Sequence, residues 1–207
     1  MDAARATSPA HIPPLLIQKF KGHSAVHWTH TFPSALWSAV IPFQIHRGFR
    51  NRNRRLHRIM GYAFMTSSAV MMVGVVSIYQ RNLLFIKFLD HVPSGTFFVS
   101  EVGIVLMGAW FVLTAAMAVM EARRRRFPAH QYWIVRHIGS GIWVAVMRIL
   151  VILVKPIFDP PFHHGSITQM TQGRVFSYAG FLGMLVTVCT SEYAVRLLKA
   201  EQPKKKV

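Results

Sequence analysis

The sequence predicts an all-α, polytopic transmembrane bundle, and three observations carry that class. Five apolar stretches stand out, roughly Ser24–Ile45, Ile59–Gln80, Thr96–Met120, Trp133–Val154 and Val175–Val195. Each has about the 20 residues a helix needs to cross a hydrocarbon core. The chain is 52% hydrophobic and only 15% charged, less charge than a soluble domain of this length carries. Its cations also alternate sides. Arg47, Arg50, Arg52, Arg54, Arg55 and Arg58 lie between the first two stretches, Arg123 to Arg126 between the third and fourth, and Arg196, Lys199 and Lys204 to Lys206 after the last. The opposite connections hold Arg5, Lys19, Lys21, Arg81, Lys87, Lys155 and Arg174. Fifteen against seven is the positive-inside asymmetry, which puts the N-terminus outside and the C-terminus inside.

The net charge of +17 therefore orients the chain, and nucleic acid is not an expected partner. Membrane lipids are. Arginines at headgroup level attract anionic lipid at about 1 kcal/mol per residue, so the inner arginine loops are where such lipid is expected.

Residues 1–23 form a polar lead-in to a transmembrane domain over 24–198, and residues 199–207 a basic tail. Pro33 and Pro42 interrupt the first stretch, whose outer end holds His27 and His30. A kinked crossing accommodates them, because proline is tolerated in membrane helices where neighbours satisfy the freed carbonyls. A re-entrant segment is the alternative and would leave four spans. His57 opens the second span. Pro128 suits the first turn of a helix, so the fourth helix begins before its apolar core and includes His130. Pro156 and Asp159-Pro160-Pro161 are expected to end it. Arginine-rich loops join spans one to two and three to four, an echo that fits either two parallel helical hairpins or the charge rule alone. Cys189 is the single cysteine, which rules out an intramolecular disulfide or a CxxC motif.

Eleven histidines are the main candidates for chemistry. His130 and His137 are two helical turns apart and share a face. His137, Gly141, Ala145 and Arg148 continue along one stripe. Small residues beside an imidazole leave a slot for the edge of a haem, and haem iron accepts histidine ligands. His57 lies at similar depth, so a haem b held by His57 with His130 or His137 is one reading. The other is that the small residues let helices pack closely while His137 bonds a neighbour. The first stretch carries histidines at both ends, His30 at the outer and His46 at the inner, sixteen residues apart, about 24 Å of helix. His163 and His164 supply imidazoles near Asp159, but adjacent residues rarely point at one ion, and no metal site is assigned.

Glu101 and Arg148 stand out as charges inside apolar stretches. Their depths agree within about 3 Å at 1.5 Å per residue, so an ion pair is expected between them, as a pin between helices or as part of a transport or proton path. Arg136, one turn into the fourth span, can snorkel. Trp28, Tyr79, Tyr132, Trp133 and Tyr178 near span ends fit an aromatic belt. No GxSxG, P-loop, dinucleotide or HExxH motif is present, and no catalytic residue is assigned.

Two segments carry a family likeness. His57-Arg58-Ile59-Met60-Gly61-Tyr62 reads HRxxGx, and His130 through Arg136 reads HxxWxxR, with Arg148 twelve residues on. Together with His30 and Gln44 they resemble the predicted membrane proteins grouped as domain of unknown function 2306, over about residues 30–155. This chain has Tyr62 where that family commonly has arginine or lysine, and Ile134 where it commonly has methionine. The resemblance implies no activity; it singles out His30, His57, Arg58, Gly61, His130, Trp133, Arg136 and Arg148 for test. The readings are thus a structural or accessory membrane protein, a haem-b electron carrier, or a small transporter. For an accessory subunit, the Ala179-Gly180-Gly183 side of the last span is the expected face for a membrane-protein partner.

Overall fold

The computed structural model describes residues 20–84, 94–158 and 169–201, and every regular element among them is helical. The chain separates into two compact units, Met1–Phe88 and Leu89–Val207. Among the described residues, four helices are long and apolar enough to cross a membrane, within Arg54–Gln80, Glu101–Arg123, Phe127–Val154 and Arg174–Ala200.

The first unit is a helical hairpin. Helix α1 runs without a break through Ser24–Val26, a π-turn at His27–Thr31, and Phe32–Ile45. It thus covers the first predicted stretch to the residue. Pro33 has no N–H to return to an α register, and the i→i+5 register just before it, with Phe32 N–H on the His27 carbonyl, lets the helix pass the proline. The short helix α2, Arg47–Arg52, is capped by His46, whose Nδ1 accepts from Phe49 N–H at 3.0 Å. Asn53 then breaks the register before α3, Arg54–Gln80. Helix α3 begins five residues before its apolar core, since arginine and leucine are good helix formers. It ends on a Schellman turn. Asn82 takes φ 55°, its N–H meets Tyr79 O, and Leu83 N–H meets Ile78 O at 2.9 Å. The buried Ile78–Leu83 pair, with Val26, closes the hydrophobic contact that accompanies this motif.

Helices α1 and α3 pack antiparallel down a row of fitted contacts. Trp37 and Phe64, both fully buried, stack with ring centroids 5.0 Å apart and 15° between planes. Gly74 meets the π-turn so closely that a Cβ there would lie 2.7 Å from Thr29 O and from His30 Cβ. Only glycine permits that approach.

The second unit comprises α4, Ser94–Arg123; α5, Phe127–Phe158; and α6, Gln169–Ala200. A second Schellman turn folds α4 back on α5. Arg125 sits at φ 58°, Arg125 N–H reaches Ala122 O, and Arg126 N–H reaches Glu121 O at 2.9 Å. Pro128 follows in the first turn of α5, as its sequence position predicts. Helix α5 runs through Pro156 as far as Phe158, into the Pro156-to-Pro161 stretch expected to end it, because a proline forfeits one N–H bond rather than the whole turn. Helix α5 is the middle element, packed on α4 along one side and α6 along the other. The segment holding His163 and His164 lies outside the described residues.

Candidate functional site

The HxxWxxR segment lies on α5 and divides its work between two neighbours. His130 and His137 turn to α4. His130 Nδ1 lies 2.8 Å from Ala118 O, and His137 Nδ1 lies 3.1 Å from Phe111 O. A carbonyl oxygen only accepts, so each Nδ1 carries a proton and Nε2 is the nitrogen left free of that contact. His137 is completely buried, 4.2 Å from the Phe111 ring between centroids. Around it, Thr114 Oγ1 lies 3.3 Å from Nδ1, and Ser140 Oγ donates to the His137 carbonyl at 2.8 Å. These hydroxyls are buried too, and each finds an acceptor within its own helix.

Trp133 and Arg136 form the other joint. The Arg136 guanidinium lies 4.9 Å from the Trp133 ring centroid and grips Glu192 of α6 by both edges: Nε donates to Oε1, and Nη2 donates to Oε2 at 2.8 Å. A planar fork facing a carboxylate is the strongest ion-pair geometry proteins use. One turn further along, Gly139 lets α6 come close. A Cβ there would stand 2.8 Å from Ser191 Cβ and 3.1 Å from Thr187 O. From α6, Gly183 reciprocates, with the Trp143 carbonyl 3.1 Å from where its Cβ would be. The Arg136–Glu192 grip therefore ends a seam of small residues where the two backbones nearly touch.

In the first unit, the HRxxG segment is built around Gln44. Gln44 is buried on α1 and its Nε2 donates to the His57 carbonyl at 3.3 Å. Gly61 faces the same amide, where a Cβ would lie 3.6 Å from Oε1. Arg58 is exposed on the far side. His30 stands in the π-turn against Gly74, seventeen residues along α3 from His57, or about 25 Å.

Several sequence expectations change here. No ion pair joins Arg148 to Glu101 among the described residues; Arg148 is exposed on α5, and the charge that α5 pairs across helices is Arg136. The two arginines are twelve residues apart, which rotates Arg148 about 120° away from the α6 seam. Ala145 is exposed as well, so the His137-Gly141-Ala145-Arg148 stripe runs from a fully buried imidazole to an exposed guanidinium. The Ala179-Gly180-Gly183 side of α6 is not open to a partner, since Trp143 and Met147 of α5 cover the two glycines. His57 belongs to the first unit, and His130 and His137 to the second. Sequence reasoning missed Glu192 altogether, along with Glu121, which is buried at the end of α4 with Arg124 at 3.4 Å. One signal for Glu192 was available. It stands eight residues before the end of its helix, as Arg136 stands nine after the start of its own, so antiparallel packing puts them at one depth.

Long apolar helices, polar groups spent on helix–helix joints and arginine-rich connections together define a multi-pass integral membrane protein. The chain matches, over residues 27–186, the family described as predicted membrane protein, domain of unknown function 2306, and it belongs to that family. The matched range takes in Gln44, both motifs and Gly183 but stops short of Glu192. No curated protein and no solved structure matches the chain.

Proposed function

We propose that the protein is a non-enzymatic membrane scaffold or accessory subunit, in which the family motifs hold helices in register. One observation carries this reading: His130, Trp133, Arg136 and Gly61 meet atoms of their own unit's helices, as a joint does. A catalytic or transport group would instead need to meet substrate.

An absorption spectrum of the detergent-purified protein, expressed with haem supplied and recorded oxidised and dithionite-reduced, tests it. The expected spectrum is featureless, with the unfolding midpoint lowered in His130→Ala and Arg136→Gln. A Soret band with a reduced α-band, lost in His57→Ala or His137→Ala, would overturn the scaffold reading.

That result would favour the second reading, a haem-b electron carrier. Its support is the state of the two α5 imidazoles. A ligating histidine usually gives its other N–H to a carbonyl or carboxylate, fixing the ring and leaving the free nitrogen basic, and His130 and His137 both present Nδ1 to a carbonyl.

A further inference from the structure

Helix α3 carries an exposed stripe that the joints do not use. From its start it runs Arg55, Arg58, Ile59, Tyr62, Thr66, Ala69, Val73 and Val76, all on the outward face. Tyr62 is 70% exposed and Val73 59%, so the helices of the first unit leave the stripe uncovered along its length. Its chemistry changes with depth. Two guanidiniums come first, a phenol follows about 10 Å on from Arg55, and an aliphatic track reaches about 31 Å from it at Val76. That is the order of a phospholipid: phosphate, glycerol and ester layer, acyl chain. Charge points the same way. The sequence has no acidic residue between Asp2 and Asp90, and neither Arg55 nor Arg58 makes an ion pair among the described residues.

We propose that this stripe is a binding site for one anionic phospholipid, lying lengthwise on α3. Arg55 and Arg58 hold the headgroup phosphate, Tyr62 donates to the ester layer, and an acyl chain follows Ala69, Val73 and Val76. Guanidinium is suited to the task because its planar fork meets two phosphate oxygens at once. The proposal goes beyond the scaffold reading and does not depend on it, since nothing in the α4–α6 joints takes part.

The test uses the full chain reconstituted in phosphatidylcholine vesicles, with spin-labelled phosphatidylglycerol or spin-labelled phosphatidylcholine as probe. The immobilised fraction of each label gives their relative association. A cation at the headgroup surface is worth about a five-fold gain, so wild type should prefer phosphatidylglycerol by about three-fold or more. The preference should fall close to one in Arg55→Gln/Arg58→Gln and survive in Arg123→Gln/Arg124→Gln, which leaves the other arginine cluster reduced. Arg55→Lys/Arg58→Lys should keep part of it, and covers the case where the glutamine variant folds poorly. Equal binding of both labels by wild type would overturn the proposal. So would a preference that the Arg55/Arg58 variants keep and the Arg123/Arg124 variant loses.

Discussion

The Arg136–Glu192 grip makes a quantitative prediction about the α5–α6 seam. Two unit charges about 4 Å apart attract by about 4 kcal/mol at the effective dielectric of a protein surface. Burial is unequal, with the Arg136 side chain 16% exposed and that of Glu192 39%. Desolvating the guanidinium offsets much of the attraction, so the pair should fall between an exposed pair, about 0.2–1 kcal/mol, and the 3–5 kcal/mol lost when a buried pair is broken. A coupling of about 1–2 kcal/mol follows. The single variants should differ: Glu192→Gln strands a mostly buried cation, whereas Arg136→Gln leaves a carboxylate that already reaches solvent. Glu192→Gln should therefore be the more destabilising, and Arg136→Gln/Glu192→Gln should cost less than the two singles added together. Unfolding in mixed dodecylmaltoside and SDS micelles, followed by tryptophan fluorescence, measures the cycle, and Trp133 beneath the guanidinium is a local reporter. A coupling under about 0.3 kcal/mol would show that the fork contributes no net stability and that the small-residue seam holds α5 to α6 without it.

Gly74→Ala should destabilise the first unit by about 1–3 kcal/mol, the usual range for forcing atoms into a filled core, because its Cβ would press on main-chain atoms of the π-turn; Gly61→Ala, with only the end of Gln44 nearby, should be close to neutral in the same micelle titration. His137→Ala should lower stability by about 2–4 kcal/mol through a cavity and a lost partner for Thr114, against about 1 kcal/mol for His130→Ala, which gives up one hydrogen bond; equal losses would show that His137 is not a packed core residue. In a Cys189→Ala background, a cysteine placed at Arg124 should react with a membrane-impermeant maleimide only once the inner face of sealed vesicles is opened. Labelling from outside would reverse the orientation read from the charge asymmetry.

Hydropathy and charge reveal the helices of this protein because length and polarity along a chain are one-dimensional properties. The ends of α1 and α3 at Ile45 and Gln80 and the arginine connections follow from them directly, while the early start of α5 follows from Pro128. Azimuth does not. Glu101 and Arg148 agree in depth, yet Arg148 lies on another side of α5 from Arg136, and only packing decides which cation finds a carboxylate. The glycines show the same limit. Gly141 drew notice for its spacing from His137, whereas Gly139, two residues earlier, is the one pressed against Ser191 and Thr187. The role of Gln44 between His57 and Gly61 was equally hidden, since a contact across a helical hairpin joins residues thirteen or more apart that no local pattern relates.

A π-turn is an α-helix with one residue more than the turn needs. The stretch from His27 to Thr31 therefore carries one extra residue inside a continuous rod, and this predicts a signature in related sequences. A relative that keeps an ordinary α register there should be one residue shorter before the position of Pro33. Everything on its N-terminal side would then be rotated by about 100° relative to the faces that set Trp37 on Phe64. A histidine at the place of His30 in such a relative would leave the Gly74 side, and the glycine would lose its reason to be glycine. Length at this turn, side-chain identity at 30 and glycine at 74 should consequently change together as a single trait.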